Sequence, residues 1–227
     1  MEQEKTNPLL VPAAIVVAGA FIALAIYSGG TKAPVANGID NTPSIEVPEV
    51  SAKDHLLGSA SAPVVIVEYS DTECPFCKTF HNTLKQVMSD YSGEVAWVFR
   101  HFPIPQLHSK APKEAEATEC AAAMGGEQIF WKYLDAIFAK TNSNDSLDPI
   151  ELNNIAATLG LDHQGFVNCL TNGTYTDKVA KSAEEAIKIG ARGTPYSILI
   201  AKDGRQVIVN GAEPLASVKA KIESLLK

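Results

Sequence analysis

Positive charge is scarce in this sequence. Against 26 aspartates and glutamates stand only 19 lysines and arginines, a formal net charge of −7. No basic surface is available to neutralise phosphates, which argues against nucleic-acid binding. There is no internal repeat and no low-complexity tract, so a repeat array is excluded. Cysteines number only 4, and a second close Cys or His pair is missing. Tetrahedral zinc needs four ligands, so the isolated Cys120 and Cys169 make a zinc knuckle a poor reading. His81, His101 and His108 have no partner at metal-ligand spacing and read as surface or packing residues, with no metal site expected. The acidic excess reads as a solvated face. What is present suffices for one domain with appendages: 227 residues, 46% of them hydrophobic.

Behind a short tail, residues 1–8, the run Leu9 to Tyr27 carries no charge. As a helix it would rise roughly 28 Å, about the thickness of a bilayer's hydrocarbon core. It reads as a transmembrane signal anchor. A cleaved signal peptide is the competing reading, although Ala23-Leu24-Ala25 lies inside the apolar run and not behind it. Glu2, Glu4 and Lys5 before the span and Lys32 after it leave orientation undecided by charge. The cysteines suit a compartment where disulfides form, which places the C-terminal domain outside the cytoplasm, on the periplasmic or cell-surface side. Residues 28–53, with Gly29, Gly30, Pro34, Gly38, Pro43 and Pro48, have linker composition. They would hold the domain roughly 25 Å from the membrane as a random coil.

The folded part is expected from about Asp54. Val64 to Tyr69 is β-branched and apolar enough for a strand buried on both faces. Phe76, Phe80, Leu84, Val87, Met88 and Tyr91 recur at helical spacing, predicting a helix over 74–90 with one face on a core. Val95 to Phe99 predicts a second strand, and Pro103 and Pro105 mark a change of territory. The insertion, about 103–187, reads as helical throughout, with Asp148 and Pro149 opening one helix and Asp162 another. Tyr196 to Ala201 and Gln206 to Val209 flank turn chemistry at Lys202-Asp203-Gly204-Arg205. A last helix follows from Pro214. The expected fold class is α/β, a mixed four-stranded sheet with an inserted all-helical subdomain.

Cys74-Pro75-Phe76-Cys77 falls between the first strand and the first helix. Free backbone N–H groups and the helix dipole there stabilise a thiolate, which makes Cys74 the nucleophile of a redox pair. Cys77, one turn in, can attack a mixed disulfide from within, and Pro75 restricts the backbone between them. Inert buried cysteines are the bland alternative. Glu68, in an otherwise apolar strand, can relay protons to Cys77 if burial raises its pKa; a solvated strand-edge carboxylate is the other reading. Cys120 and Cys169 read as a structural disulfide, worth roughly 4 kcal/mol in the chain-entropy model, with two buried free thiols as the alternative.

From about Asp54 to Lys227 the sequence resembles the DsbA-like thiol-disulfide oxidoreductases, in their membrane-anchored bacterial form. The resemblance rests on VVIVEYSDTECPFCKTFH, WVFRHFP, EATECAAAMGGEQIFWKYLDAIF and GARGTPYSILI. It implies a thioredoxin-like fold, redox roles for Cys74 and Cys77, no bound cofactor, and Pro195 as a cis-proline against the active-site sulfurs. Thr194 before it would offer backbone groups to an extended substrate. It further implies exported proteins with free thiols as substrates and a quinone-linked membrane protein as electron acceptor. A monomeric catalytic domain is expected. One departure is Phe76, where many members carry a histidine that stabilises the thiolate. Each 1.4 kcal/mol so lost moves the potential about 30 mV towards the reducing side. Thr194 also resembles disulfide isomerases. The alternatives to an oxidase are therefore an isomerase or reductase kept reduced by a membrane partner, or a non-catalytic tethered peptide-binding module.

Overall fold

The structure, a computed structural model, describes residues 46–227. The expected anchor at 9–27 and the linker as far as residue 45 lie outside the described residues. Among the described residues no helix is long and apolar enough to cross a membrane.

The chain forms β1 (His55–Leu57), β2 (Val64–Ser70), α1 (Pro75–Asp90) and β3 (Val95–His101). Five helices follow: α2 (Ala111–Gly125), α3 (Glu127–Lys140), α4 (Ile150–Thr158), α5 (His163–Thr171) and α6 (Thr176–Lys188). The chain closes with β4 (Tyr196–Ala201), β5 (Gln206–Asn210) and α7 (Leu215–Leu226). The sheet has five strands in the order β1-β3-β2-β4-β5. β2 and β3 run parallel, Val64 opposite Val95, and the other pairings are antiparallel.

The expected sheet of four strands is thus one short. β1 is only 3 residues long, with too little alternation to announce itself. It exists because the free edge of β3 accepts it, His55 opposite Phe99. The end of the expected linker also departs from a free tether. Val47 and Val50 pack on the apolar cluster around Tyr69 and Tyr196, and Arg100 Nη2 donates to the Pro48 carbonyl at 3.1 Å.

Alternation along the central strands sends side chains to two faces. One face carries Val64, Ile66, Trp97, Phe99 and Leu199 against α1, α3 and α7. The other carries Val67, Tyr69, Val98 and Ile198 against Ala186 of α6. A separate core inside the insertion joins Ala117, Tyr133, Ile137, Ile155 and Phe166. A disulfide between Cys120 and Cys169 staples it, the Cα atoms 6.0 Å apart.

Helix α1 opens at Pro75, whose missing N–H costs nothing at a first helical position. Its buried stripe is Cys77, Phe80, His81, Leu84 and Val87. Phe76, expected on that stripe, is instead 65% exposed. Starting the stripe one residue later points Cys77 inward and leaves Phe76 on the rim. Asp162 caps α5 as expected, its Oδ2 accepting from Gly165 N–H at 2.6 Å. Helix α4 instead starts one residue later than expected, with Pro149 as its N-cap and no side-chain cap. Asp148, one residue further out, accepts from Ile150 N–H at 3.0 Å.

Candidate active site

β2, the central strand, ends at Ser70 opposite His101 of β3, and residues 71–74 turn the chain into α1. Cys74 is the N-cap of that helix, in extended conformation with no side-chain cap of its own. Its sulfur therefore lies where the first turn's N–H groups are unpaired. Opposite stands the cis peptide Thr194–Pro195, and Cys74 Sγ–H points at the Thr194 carbonyl, 3.4 Å away. Both cysteines are free and buried, Cys77 completely.

The two thiols titrate far apart. The hydrogen bond from Cys77 outweighs the cost of burial, and the Thr194 side chain and the N–H groups of Cys77 and Phe76 assist, so Cys74 falls from 9.0 to about 6. Burial, together with the charges of Cys74 and Glu68, pushes Cys77 well above 9.0. The Asp71 N–H donates to Cys77 Sγ at 3.4 Å. Beneath the pair, Glu68 is wholly buried. Burial raises its carboxyl from 4.5 to about 7 against the pull of Ser70 and Trp97. Trp97 Nε1 donates to Glu68 Oε2 at 2.9 Å, while Oε1 has no partner among the described residues. A strand-edge carboxylate in water is ruled out by that burial.

Sequence reasoning missed a set of polar groups around the turn. Asp71 accepts from the N–H groups of Glu73 and Ile104, each at 2.8 Å, and pairs with His108 Nδ1 at 3.0 Å. Burial alone would lower His108, yet Asp71, Cys74 and Asp145 raise it. Glu73 takes hydrogen bonds from Thr141 Oγ1 and from the N–H groups of Ser146 and Leu147. Burial and the neighbouring Glu73 lift Glu114 from 4.5 to about 8. Asp71 and Glu73 lay inside the motif around Cys74, but only the fold brings His108 and Glu114 to them. Of the two readings, surface or packing, the structure gives packing: His81, His101 and His108 are buried, each beside a carboxylate that the sequence did not point to. Asp135 lies 2.6 Å from His81, and Glu119 lies 3.2 Å from His101.

A family model described as Thioredoxin matches residues 50–223. The chain belongs to the thioredoxin family. Within this family it is DsbA-like. The crystal structure of Pseudomonas aeruginosa DsbA2 superposes with a TM-score of 0.65 at 29% identity, over 78% of this chain and 97% of that one. Wolbachia pipientis α-DsbA1 gives 0.69 at 25% identity, over 81% and 96%. These relationships within the thioredoxin family support a thiol-disulfide oxidoreductase. Among curated proteins, the Na(+)/H(+) antiporter NhaA 3 of Salinispora tropica is 34% identical over 149 residues, 66% of this chain. The chain spans only 22% of that relative's length.

Proposed function

We propose that this protein is a protein disulfide oxidase, which transfers the Cys74–Cys77 disulfide to thiols of exported proteins. The observation that carries the reading is the divided pair: Cys74 held at about 6 at the helix N-terminus, Cys77 buried and pushed well above 9.0. A substrate thiolate attacks Cys74 Sγ of the oxidised enzyme, and the Cys74–Cys77 bond breaks. The electron pair goes to Cys77, which as a buried, high-pKa thiolate takes up a proton. Glu68, near neutrality itself, is the group placed to supply that proton and to recover one from solvent. A second substrate thiolate then attacks the substrate sulfur of the mixed disulfide. Cys74 departs as a stable thiolate, and two electrons remain on the enzyme.

At pH 7 a thiol titrating near 6 is about nine-tenths ionised. That adds about 1.4 kcal/mol to the dithiol form, or about 30 mV of oxidising power. Thr194 and Pro195 offer an edge for an extended substrate, and Phe76, exposed between the two cysteines, gives apolar surface at the site. Reoxidation calls for a quinone-linked membrane acceptor, and the apolar run at 9–27 would hold the monomeric domain near it on the extracytoplasmic side.

Equilibrating the full-length chain against glutathione tests this. A Cys74-dependent potential well above the roughly −270 mV of thioredoxin supports a disulfide donor, whereas a thioredoxin-like value turns the reading to a reductase or isomerase. Loss of any Cys74-dependent couple would leave a peptide-binding module.

A further inference from the structure

A second cluster of reactive side chains shares no residue with the cysteine pair. His55 on β1, His101 at the end of β3 and Glu119 on α2 bring three ligand atoms within 4.8 Å of one another. All three residues are buried. His55 Nε2 lies 3.1 Å and His101 Nε2 3.2 Å from Glu119 Oε1. An ion about 2.0–2.1 Å from each of three tetrahedral ligands spaces them about 3.3 Å apart, so the two imidazole–carboxylate edges are already close to that length and the imidazole–imidazole edge lies within 4.8 Å.

We propose that His55, His101 and Glu119 bind a divalent transition ion of zinc's class, with a fourth position open to the adjoining cavity. Two imidazoles and a single carboxylate favour zinc, cobalt, nickel or copper over calcium and magnesium, which want oxygen. The first histidine is already oriented for the task. His55 Nδ1 lies 3.0 Å from Glu127 Oε1, so Nδ1–H donates there and Nε2 is the nitrogen left to face the cluster, its lone pair freed when a metal displaces any proton shared with Glu119. This is the carboxylate–histidine arrangement that supports metal ligands elsewhere. The ring also stacks flat on Phe130, centroids 3.5 Å apart and 5° from parallel, which fixes its plane. Glu119 Oε1 is buried and faces both imidazole Nε2 atoms, so the carboxylate already gathers the two rings around one point. A buried anion of this kind is costly unless protons on those rings or a cation balance it.

Lys178 marks where the charge belongs. Its Nζ lies 2.6 Å from Glu119 Oε2 and 3.4 Å from His55 Nε2, an ammonium standing in the electrostatic place of the ion. Its side chain is 40% exposed and borders a cavity of about 570 Å³, into which it can withdraw. Lys178 and the metal are therefore competitors. His101 Nε2 lies 3.3 Å from Thr118 Oγ1, and it contributes its lone pair by carrying the ring proton on Nδ1.

The test uses the untagged full-length chain, stripped of metal, with Cys74 and Cys77 oxidised so that no free thiolate competes. Titration with Co2+ is followed by its visible ligand-field bands, with Zn2+ then added to displace it. One Co2+ per chain with tetrahedral band intensity is expected, weakened at least 10-fold in His55→Ala and in His101→Ala. Lys178→Met removes the competing cation without touching a ligand, and is expected to tighten binding. Absence of the bands at equal concentrations of ion and chain overturns the proposal, as does binding unchanged in both histidine variants. So does a Lys178→Met chain that folds normally but binds no tighter than the parent.

Discussion

Glu68 shows how one buried group sets a pH dependence. Folded, it titrates near 7, and its ordinary value is 4.5. The folded state therefore keeps a proton that the unfolded chain releases between those values. The group's contribution to stability is full below about 4.5 and is lost as the pH rises through about 7, a fall on the order of 3 kcal/mol. Glu68→Gln keeps an acceptor for Trp97 Nε1 and has no charge to desolvate. Urea unfolding of the dithiol form at pH 4 and pH 8 should then show the variant gaining on the parent by on the order of 3 kcal/mol over that interval. Parallel behaviour would mean that Glu68 ionises as freely in the fold as in the open chain. The same variant should slow disulfide exchange through loss of the proton relay to Cys77, with the Cys74 alkylation midpoint staying near 6.

At the scale of elements, periodicity made α1 and the central strands legible, because Val64 to Tyr69 and Phe80 to Val87 carry their burial in their spacing. What spacing does not carry is pairing imposed from outside. β1 has no pattern of its own and is held by the edge of β3, and Phe76 shares the helix's apolar period while lying outside its buried face. The helices of the insertion were readable one at a time, but not how they pack. The Cys120–Cys169 bridge spans 49 residues and ties α2 to α5 across a core separate from those on the sheet. In the chain-entropy model closing that loop is worth at most about 4 kcal/mol. Replacing both cysteines by alanine should therefore lower unfolding stability by about 2–4 kcal/mol. It should also speed amide exchange first in α2 and α5, with the strands β2 and β3 protected longest. Exchange that quickened equally everywhere would show that the insertion has no cooperativity of its own.

Across the whole molecule, the groups that sequence spacing could not join are those on segments far apart in the chain. His108 reaches Asp71 through the proline segment, and His55, His101 and Glu119 meet only because β1 lies on β3 beneath α2. Arg100 is the fullest case. From β3 its guanidinium reaches Asp54 Oδ1 at 2.7 Å, Glu185 Oε1 on α6 at 2.7 Å, Tyr69 Oη on β2 at 2.9 Å and the Pro48 carbonyl at 3.1 Å. It is 7% exposed, so these contacts are made largely away from water, where removing one partner of an ion pair strands the other. Arg100→Met keeps much of the volume and leaves Asp54 and Glu185 without their cation. A loss of about 3 kcal/mol is expected, and it should be accompanied by release of residues 46–53, which Arg100 helps hold to the sheet. Hydrogen exchange distinguishes this from general weakening. If Arg100 joins the segment to the domain, amides around Pro48 and Asp54 become exposed while those of α1 keep their protection. If the segment stays protected in a destabilised variant, Val47 and Val50 hold it by packing alone and the guanidinium serves only α6 and the sheet.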